Sequence, residues 1–402
     1  MSGTDAADAL ADPTSVAAAL GKAPFVRLLA AEDGDSMAAA GVLADAFRTN
    51  DVPFQVRTTD DPDAALADGL PGGEPADRTL VVGHDSAIAD ATVPGRPDSP
   101  LGEPASVGAY RAALELGGDP DPVLTLAGAI AAGTVPGDDG TDAVLDRARD
   151  RDLVRRRPGV GLPTDDPADG LAHSTLLVAP FSGDVDAATS TLEEWGLPSD
   201  PGADLEASER ERFASLLAVE VATAPESVPR AATAVGTALR PYATDGPFAT
   251  LAGYADVLDV LARERPGRAI ALALGGRTGD AAALRAGALE AWRDHAREAH
   301  RAVRNARTGR YDGSMLARVD AESHVLPTVA RLLCAYRSPE PVVIVVDEGA
   351  AAAASRGPAG LGETLGDAAA EFDGTGFGTS TRARARFDGD STAFAAAVRE
   401  RL

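Results

Sequence analysis

The stretch Phe25–Phe47 constrains this chain more than any other. A short apolar run, Phe25 to Ala30, has the length of a strand. A tight acidic turn follows, Glu32-Asp33-Gly34-Asp35-Ser36, and then an Ala-rich segment of helical composition. The unit is strand–turn–helix, with two carboxylates at the carboxyl end of the strand, where open α/β sheets carry their sites. Asp33 and Asp35 are two residues apart, so a turn can aim both at one point. Paired carboxylates so placed suit a hard divalent cation holding a phosphate. They also suit capping of the helix that follows, because acids at a helix start satisfy free N–H groups and the dipole. The capping reading is preferred.

Further along, strands alternate with helices. Pro53–Thr58 and Thr79–Val82 read as strands, and Ser106–Leu116 and Val123–Ala132 as helices. That alternation predicts a mostly parallel α/β sheet. From Thr141 the pattern changes. Helices are expected over Thr141–Val154, Ala187–Trp195, Ser208–Ala224, Gly246–Ala262, Ala281–Thr308 and Leu361–Glu371. Strands are expected over Ala269–Leu274, Pro341–Asp347 and Arg382–Phe387. The expected fold class is α/β, a mostly parallel sheet domain followed by a smaller α/β domain. The expected boundaries are 1–195 for the first domain, 196–245 for a helical connector and 246–402 for the second domain.

Composition narrows the setting. The net charge is -25, and Lys22 is the only lysine. An acidic, lysine-poor, Ala-rich chain reads as halophilic, built for a salt-saturated cytoplasm. In molar salt the Debye length is only about 3 Å, so local patches rather than net charge govern binding. Cys334 is the only cysteine, which excludes a disulfide framework and a cysteine metal site. No apolar run approaches the roughly 20 residues needed to cross a bilayer. Residues 1–24 lack the basic start and apolar core of a signal peptide. A soluble cytoplasmic protein with no membrane partner is expected.

Motif order then points to a family. The DHH phosphoesterases open on His-x-Asp-x-Asp-Gly followed by small residues, and Asp33, Asp35 and Ala38-Ala39-Ala40-Gly41 resemble that opening. Leu126-Ala-Gly128, Leu171-Ala-His-Ser, Leu192–Leu197 and Phe248–Leu258 are similar to successive segments of archaeal RecJ-like proteins. Ala354-Ser355-Arg356 with Leu361-Gly362, and Gly376-Phe-Gly378-Thr379 running into Arg382-Ala-Arg384-Ala, resemble the DHH-associated domain. The best match is the GINS-associated archaeal nuclease type. The resemblance implies a DHH-type parallel sheet domain, a smaller DHH-associated domain, and manganese-dependent exonuclease chemistry on single strands through two metal ions.

The departures from that pattern are specific. The first-motif His position holds Ala31 and its Gly position holds Ser36. The second-motif Asp position falls on Gly83, beside His84 and Asp85. No Asp-His-His triplet exists, and the fourth Asp position falls on Ala132. The substrate-loop His position falls on Thr379. Two carboxylates hold one hydrated cation weakly and do not make a two-metal centre. The expectation is therefore a catalytically inactive replication or repair scaffold, with GINS and helicase components as partners and single-stranded DNA or RNA as a further ligand. The alternative is a divergent metal-dependent nuclease using a remnant of Asp33, Asp35 and Asp85, with manganese or magnesium if that remnant persists and no cofactor otherwise. Candidate nucleic-acid contacts are Gly376, Gly378, Thr379, Arg382, Arg384, Arg386 and Arg356. Three Arg on one strand face form a binding surface or a solvated outer face in equal measure. Arg155-Arg156-Arg157 caps a helix or forms a minor basic patch. The stripe Arg293, Arg297 and Arg301 is expected to pair with Glu290, Asp294 and Glu298, leaving Arg304, Arg307 and Arg310 unpaired.

Overall fold

The computed structural model describes residues 13–67, 76–84, 89, 91–93, 104–199, 205–275 and 280–402. Two compact units form. The first comprises 1–155, 244–247 and 254–291, and the second comprises 156–243, 248–253 and 292–402. The expected connector, 196–245, thus falls mostly within the second unit. Its helix Ala207–Thr223 buries Phe213, Leu217 and Val221 in that unit's core.

In the first unit, strands β1 (Val26–Ala30), β2 (Phe54–Thr58), β3 (Arg78–Val82) and β4 (Ala91–Val93) form a parallel sheet in the order β2-β1-β3-β4. Every residue of β1 is buried, as expected for a strand flanked on both edges. The chain leaves β1 towards β2 and returns across it to β3. Strand order therefore reverses beside β1, and a crevice opens at the carboxyl ends of β1 and β3. Helix Gly34–Thr49 leads out of that crevice. It packs against helices Ala105–Glu115 and Pro122–Ala131 through small residues. A Cβ at Gly128 would lie 2.5 Å from Ala38 Cβ and 2.8 Å from Ser106 Cβ.

Aspartates begin many of these helices. Asp121 accepts from the N–H groups of Val123 and Leu124, with Pro122 at the first helical position. Asp166 with Pro167 repeats the arrangement. Ala269–Leu274 is helical rather than extended. It belongs to helix Pro266–Ala273, started by Pro266, and buries Ala269, Leu272 and Ala273 at helical spacing.

The second unit carries a six-stranded mixed sheet of β5 (Arg307–Tyr311), β6 (Ser314–Arg318), β7 (Val342–Asp347), β8 (Ala350–Ser355), β9 (Thr375–Gly378) and β10 (Arg382–Arg386). Its order is β9-β10-β8-β7-β6-β5. Val343 and Val345 join one core while Ile344 and Val346 join another, so β7 is covered on both faces. Helix Leu326–Tyr336 lies on the first face. Helices Leu361–Ala370 and Ser391–Arg401 lie on the second.

The charge ladder on helix Ala281–Asn305 holds only in part. Arg297 pairs with Asp294 at 2.9 Å and Arg301 with Glu298 at 3.8 Å. Arg293 instead grips Asp169 through two bonds of 2.8 Å. Arg304 donates to the Ser182 carbonyl, and Arg310 pairs with Glu340 at 2.9 Å. Two of the three arginines expected to stand unpaired thus have partners. The tertiary partners lie far away in sequence, where spacing rules have no reach. Among the described residues, no helix is long and apolar enough to cross a membrane.

Candidate functional site

At the carboxyl end of β1, Asp33 has extended backbone geometry and caps helix Gly34–Thr49. Its Oδ1 accepts from Ser36 N at 2.8 Å and its Oδ2 from Ser36 Oγ at 2.9 Å. Asp35 sits one residue inside the helix and is only 4% exposed. It caps a different helix: its two oxygens accept from Ala105 N at 2.7 Å and Ser106 N at 3.0 Å, the start of Ala105–Glu115. The shared turn thus starts one helix with Asp33 and ties down a second with Asp35. Burial, and then the neighbouring Asp33 carboxylate, push the Asp35 pKa up to about 6, against the pull of the backbone N–H groups.

The positions that depart from the DHH pattern meet one another. Gly83, at the end of β3, has φ +85°. A Cβ there would lie 1.9 Å from Ser36 Oγ and 3.0 Å from Ala31 Cβ. Ala31, Ser36 and Gly83 therefore fill with packed atoms the corner where the family pattern places a His and an Asp. His84 follows, half-buried. Asp85 lies outside the described residues.

Two residues that the sequence reading did not single out complete the corner. Asp259, on helix Leu251–Glu264, accepts from Gly34 N at 3.2 Å, and a Cβ at Gly34 would lie 3.0 Å from the Asp259 backbone. Arg263, one turn on, holds Asp259 through bonds of 3.1 and 2.6 Å, and both side chains are nearly buried. Burial is the largest influence on Arg263 and disfavours its charge. The carboxylates of Asp259, Asp33 and Asp256 outweigh it and raise the guanidinium pKa above its ordinary value. A fixed cation thus shares the field of Asp33. The signal available in the sequence was the i, i+4 spacing of Asp259 and Arg263.

These residues do not fit a two-metal group. Both oxygens of Asp33 and both of Asp35 already accept protein hydrogen bonds. Neither joins a cluster of three potential ligand side chains among the described residues. The positive charge beside Asp33 is supplied by Arg263.

The second candidate region lies at the edge of the mixed sheet. Arg382 and Arg386 are exposed and Arg384 half-buried, while Ala383 and Ala385 turn into the core. Arg384 lies over the Phe377 ring at 5.1 Å. Arg356 is exposed and donates to Pro339 O at 2.8 Å. Burial pushes the Cys334 thiol up, while the charges of Arg230, Arg356 and Arg382 act against it. Arg230 carried no sequence signal. Gly376 and Gly378 serve close packing. A Cβ at Gly376 would lie 2.6 Å from Leu365 O, and one at Gly362 would lie 2.3 Å from Gly378 O. Thr379 closes the β9–β10 turn, accepting from Arg382 N at 3.2 Å and donating its own N–H to Arg382 O at 2.7 Å.

Comparison with known proteins places this arrangement. The chain is similar to CDC45 from Entamoeba histolytica at a TM-score of 0.65 and 8% identity, covering 97% of this chain and 98% of that one. It is similar to RecJ from Thermus thermophilus, solved in complex with Mg2+, at a TM-score of 0.51 and 16% identity. That match covers 97% of this chain but 52% of the other, so this chain spans about half of that RecJ. The fold is that of the RecJ-like DHH proteins. A family model described as uncharacterized protein rrnAC1427, C-terminal domain, matches residues 306–400. The rrnAC1427 protein of Haloarcula marismortui is 46% identical over 395 residues, 96% of each chain. The chain belongs to the rrnAC1427 family.

Proposed function

We propose that this protein is a non-catalytic member of the RecJ-like class, acting as a scaffold in DNA replication or repair. One observation carries the reading: Asp33 and Asp35 both serve as helix caps, in a corner closed by Ala31, Ser36 and Gly83, with Arg263, bonded to Asp259, as a fixed cation in the field of Asp33. In-line attack on phosphorus needs several ligands fixing two cations and a positive field on the attacking water. Two capping carboxylates, without the family's His at Ala31 or its Asp at Gly83, are fewer ligands than two cations need.

GINS and replicative helicase components are the proposed partners, and the CDC45-like fold supports that class of assembly. Single-stranded DNA is the proposed ligand of the Arg382, Arg384 and Arg386 face, where the exposed side chains of Arg382 and Arg386 would meet phosphates. A pull-down in molar salt tests the scaffold. Recovery of GINS or helicase subunits is expected, and their absence from repeated pull-downs contradicts it. We also read the acidity as adaptation to a salt-rich interior. Loss of the helical circular dichroism signal on dialysis into low salt is expected, and an unchanged signal contradicts it.

A further inference from the structure

The mixed sheet of the second unit ends at β5, and that edge carries positive charge in a chain of net charge -25. Among the described residues, no strand pairs with its outer side. The strand, Arg307-Thr-Gly-Arg-Tyr, is exposed at every position except half-buried Gly309. Tyr311 and Ser314 close the hairpin to β6 across Asp312 and Gly313. A closing pair across two residues is hydrogen-bonded, and bonding then alternates along the ladder. Arg307, Gly309 and Tyr311 therefore turn their backbone groups to β6. Thr308 and Arg310 turn theirs outward, so two N–H and two C=O groups line the open edge.

Side chains alternate as well. Arg310 lies on one face and pairs with Glu340 at 2.9 Å. Arg307, Gly309 and Tyr311 share the other face with Leu316, on the side of helix Ser391–Arg401. There the Tyr311 ring folds back along the strand: a Cβ at Gly309 would lie 3.5 Å from Tyr311 Cε2 and 3.6 Å from its Oη. From the helix, the Arg399 guanidinium lies over that ring, 3.6 Å from its centre. A guanidinium held by its flat face keeps its charge and the N–H groups at its rim. Across the ladder Arg307 meets a like charge, Arg318, which itself donates to Thr392 Oγ1 at 3.1 Å. Like charges directly opposite each other destabilise a ladder. Among the described residues, neither Arg307 nor Arg399 pairs with a carboxylate. The open side of β5 is thus where opposite charge can be placed.

We propose that β5 takes an extended acidic segment of a partner protein as a seventh strand, with carboxylates at alternate positions. The outward backbone groups of Thr308 and Arg310 pair with the segment, and its carboxylates meet Arg307 and Arg399. Neutral residues fall between them, because Arg310 on the far face already has Glu340. Strand addition draws on backbone groups that a nucleic acid does not offer. Pairing with a second copy would bring two sets of Arg307 and Arg310 together, which disfavours it. The inference is independent of the crevice at β1 and of the arginine face of β10.

A fluorescein-labelled peptide of four Asp-Thr repeats is the probe, titrated with the whole chain in enough potassium chloride to keep it folded and read by anisotropy. Saturable binding is expected, with a Lys-Thr peptide of the same length about tenfold weaker or more. An Arg307→Gln/Arg399→Gln variant, verified as folded by circular dichroism, should bind the acidic peptide about tenfold more weakly. Thr308→Pro removes one outward N–H while leaving the bonds to β6, and should weaken binding about fivefold. The backbone pairing is also tested with the protein unchanged. Of two acidic peptides N-methylated at the odd or at the even positions, one should keep binding and the other lose it. No saturable binding of the acidic peptide overturns the proposal. So does equal affinity in the folded double variant, or equal affinity of the two N-methylated peptides. Labelled oligothymidylate that needs Arg307 and Arg399 but ignores Thr308→Pro overturns it in favour of a nucleic acid. Dimers in sedimentation that Thr308→Pro abolishes overturn it in favour of a second copy.

Discussion

The crevice at β1 and the arginine face of β10 are both sites that the family pattern marks, and their charges have opposite fates. In the crevice, Asp33, Asp35, Asp259 and Arg263 are turned inward, and each is hydrogen-bonded within the first unit. On β10, Arg382 and Arg386 remain at the surface. Charged residues that a fold buries and charged residues that it leaves exposed look alike in a sequence motif. Burial tells the two regions apart.

The largest expected effect comes from breaking the buried pair. Arg263→Met leaves Asp259 charged and nearly buried, and should destabilise the chain by about 3–5 kcal/mol in denaturant titrations. A cost below about 1 kcal/mol would mean that the pair is not the anchor of the crevice.

Restoring the family aspartate comes next. Gly83→Asp puts a Cβ onto Ser36 Oγ at a backbone angle that favours glycine, and should cost about 3 kcal/mol. Adding Ser36→Gly removes the clash. The double variant should recover part of that loss, so the two changes are non-additive. Strict additivity would show that Gly83 and Ser36 do not press on each other.

Asp35 gives a pH signature of intermediate size. Its native pKa, about 6, lies above the unfolded value of 3.8, so the native state binds the extra proton between those values. Its contribution to stability is full below about pH 4 and declines as pH rises through 6, by roughly 3 kcal/mol in all. Relative to Asp35→Asn, the wild type should therefore lose stability across that window. A flat difference would remove Asp35 as a buried, strained cap.

The smallest effect on stability is expected on β10. Changing Arg382, Arg384 and Arg386 together to Gln should shift stability by about 0.5 kcal/mol per site at most, while weakening single-stranded DNA binding and flattening its salt dependence. Unchanged DNA binding would sink the contact role of that face.

Local pattern made much of this fold legible. The strand–turn–helix unit at Phe25–Phe47 is visible because its apolar run, acidic turn and Ala-rich helix are contiguous. The pairing of Ala31, Ser36 and Gly83 is not visible, since it depends on β3 returning beside β1. Capping of helix Ala105–Glu115 by Asp35 spans about seventy positions and no spacing rule reaches it. Ala269–Leu274 misleads because its alternation of Ala with Ile and Leu mimics a strand, while Pro266 and the small residues favour a helix. Arg293 misleads because a partner three residues away hides the better one at Asp169.

The most direct measurement is manganese calorimetry together with cleavage of 5′-labelled single-stranded DNA, in molar potassium chloride. An Asp33→Ala/Asp35→Ala variant, verified as folded, runs beside the wild type. The scaffold reading predicts no saturable manganese heat and no cleavage by either protein. Manganese binding and cleavage by the wild type, both abolished in the variant, would contradict it and identify Asp33 and Asp35 as working metal ligands.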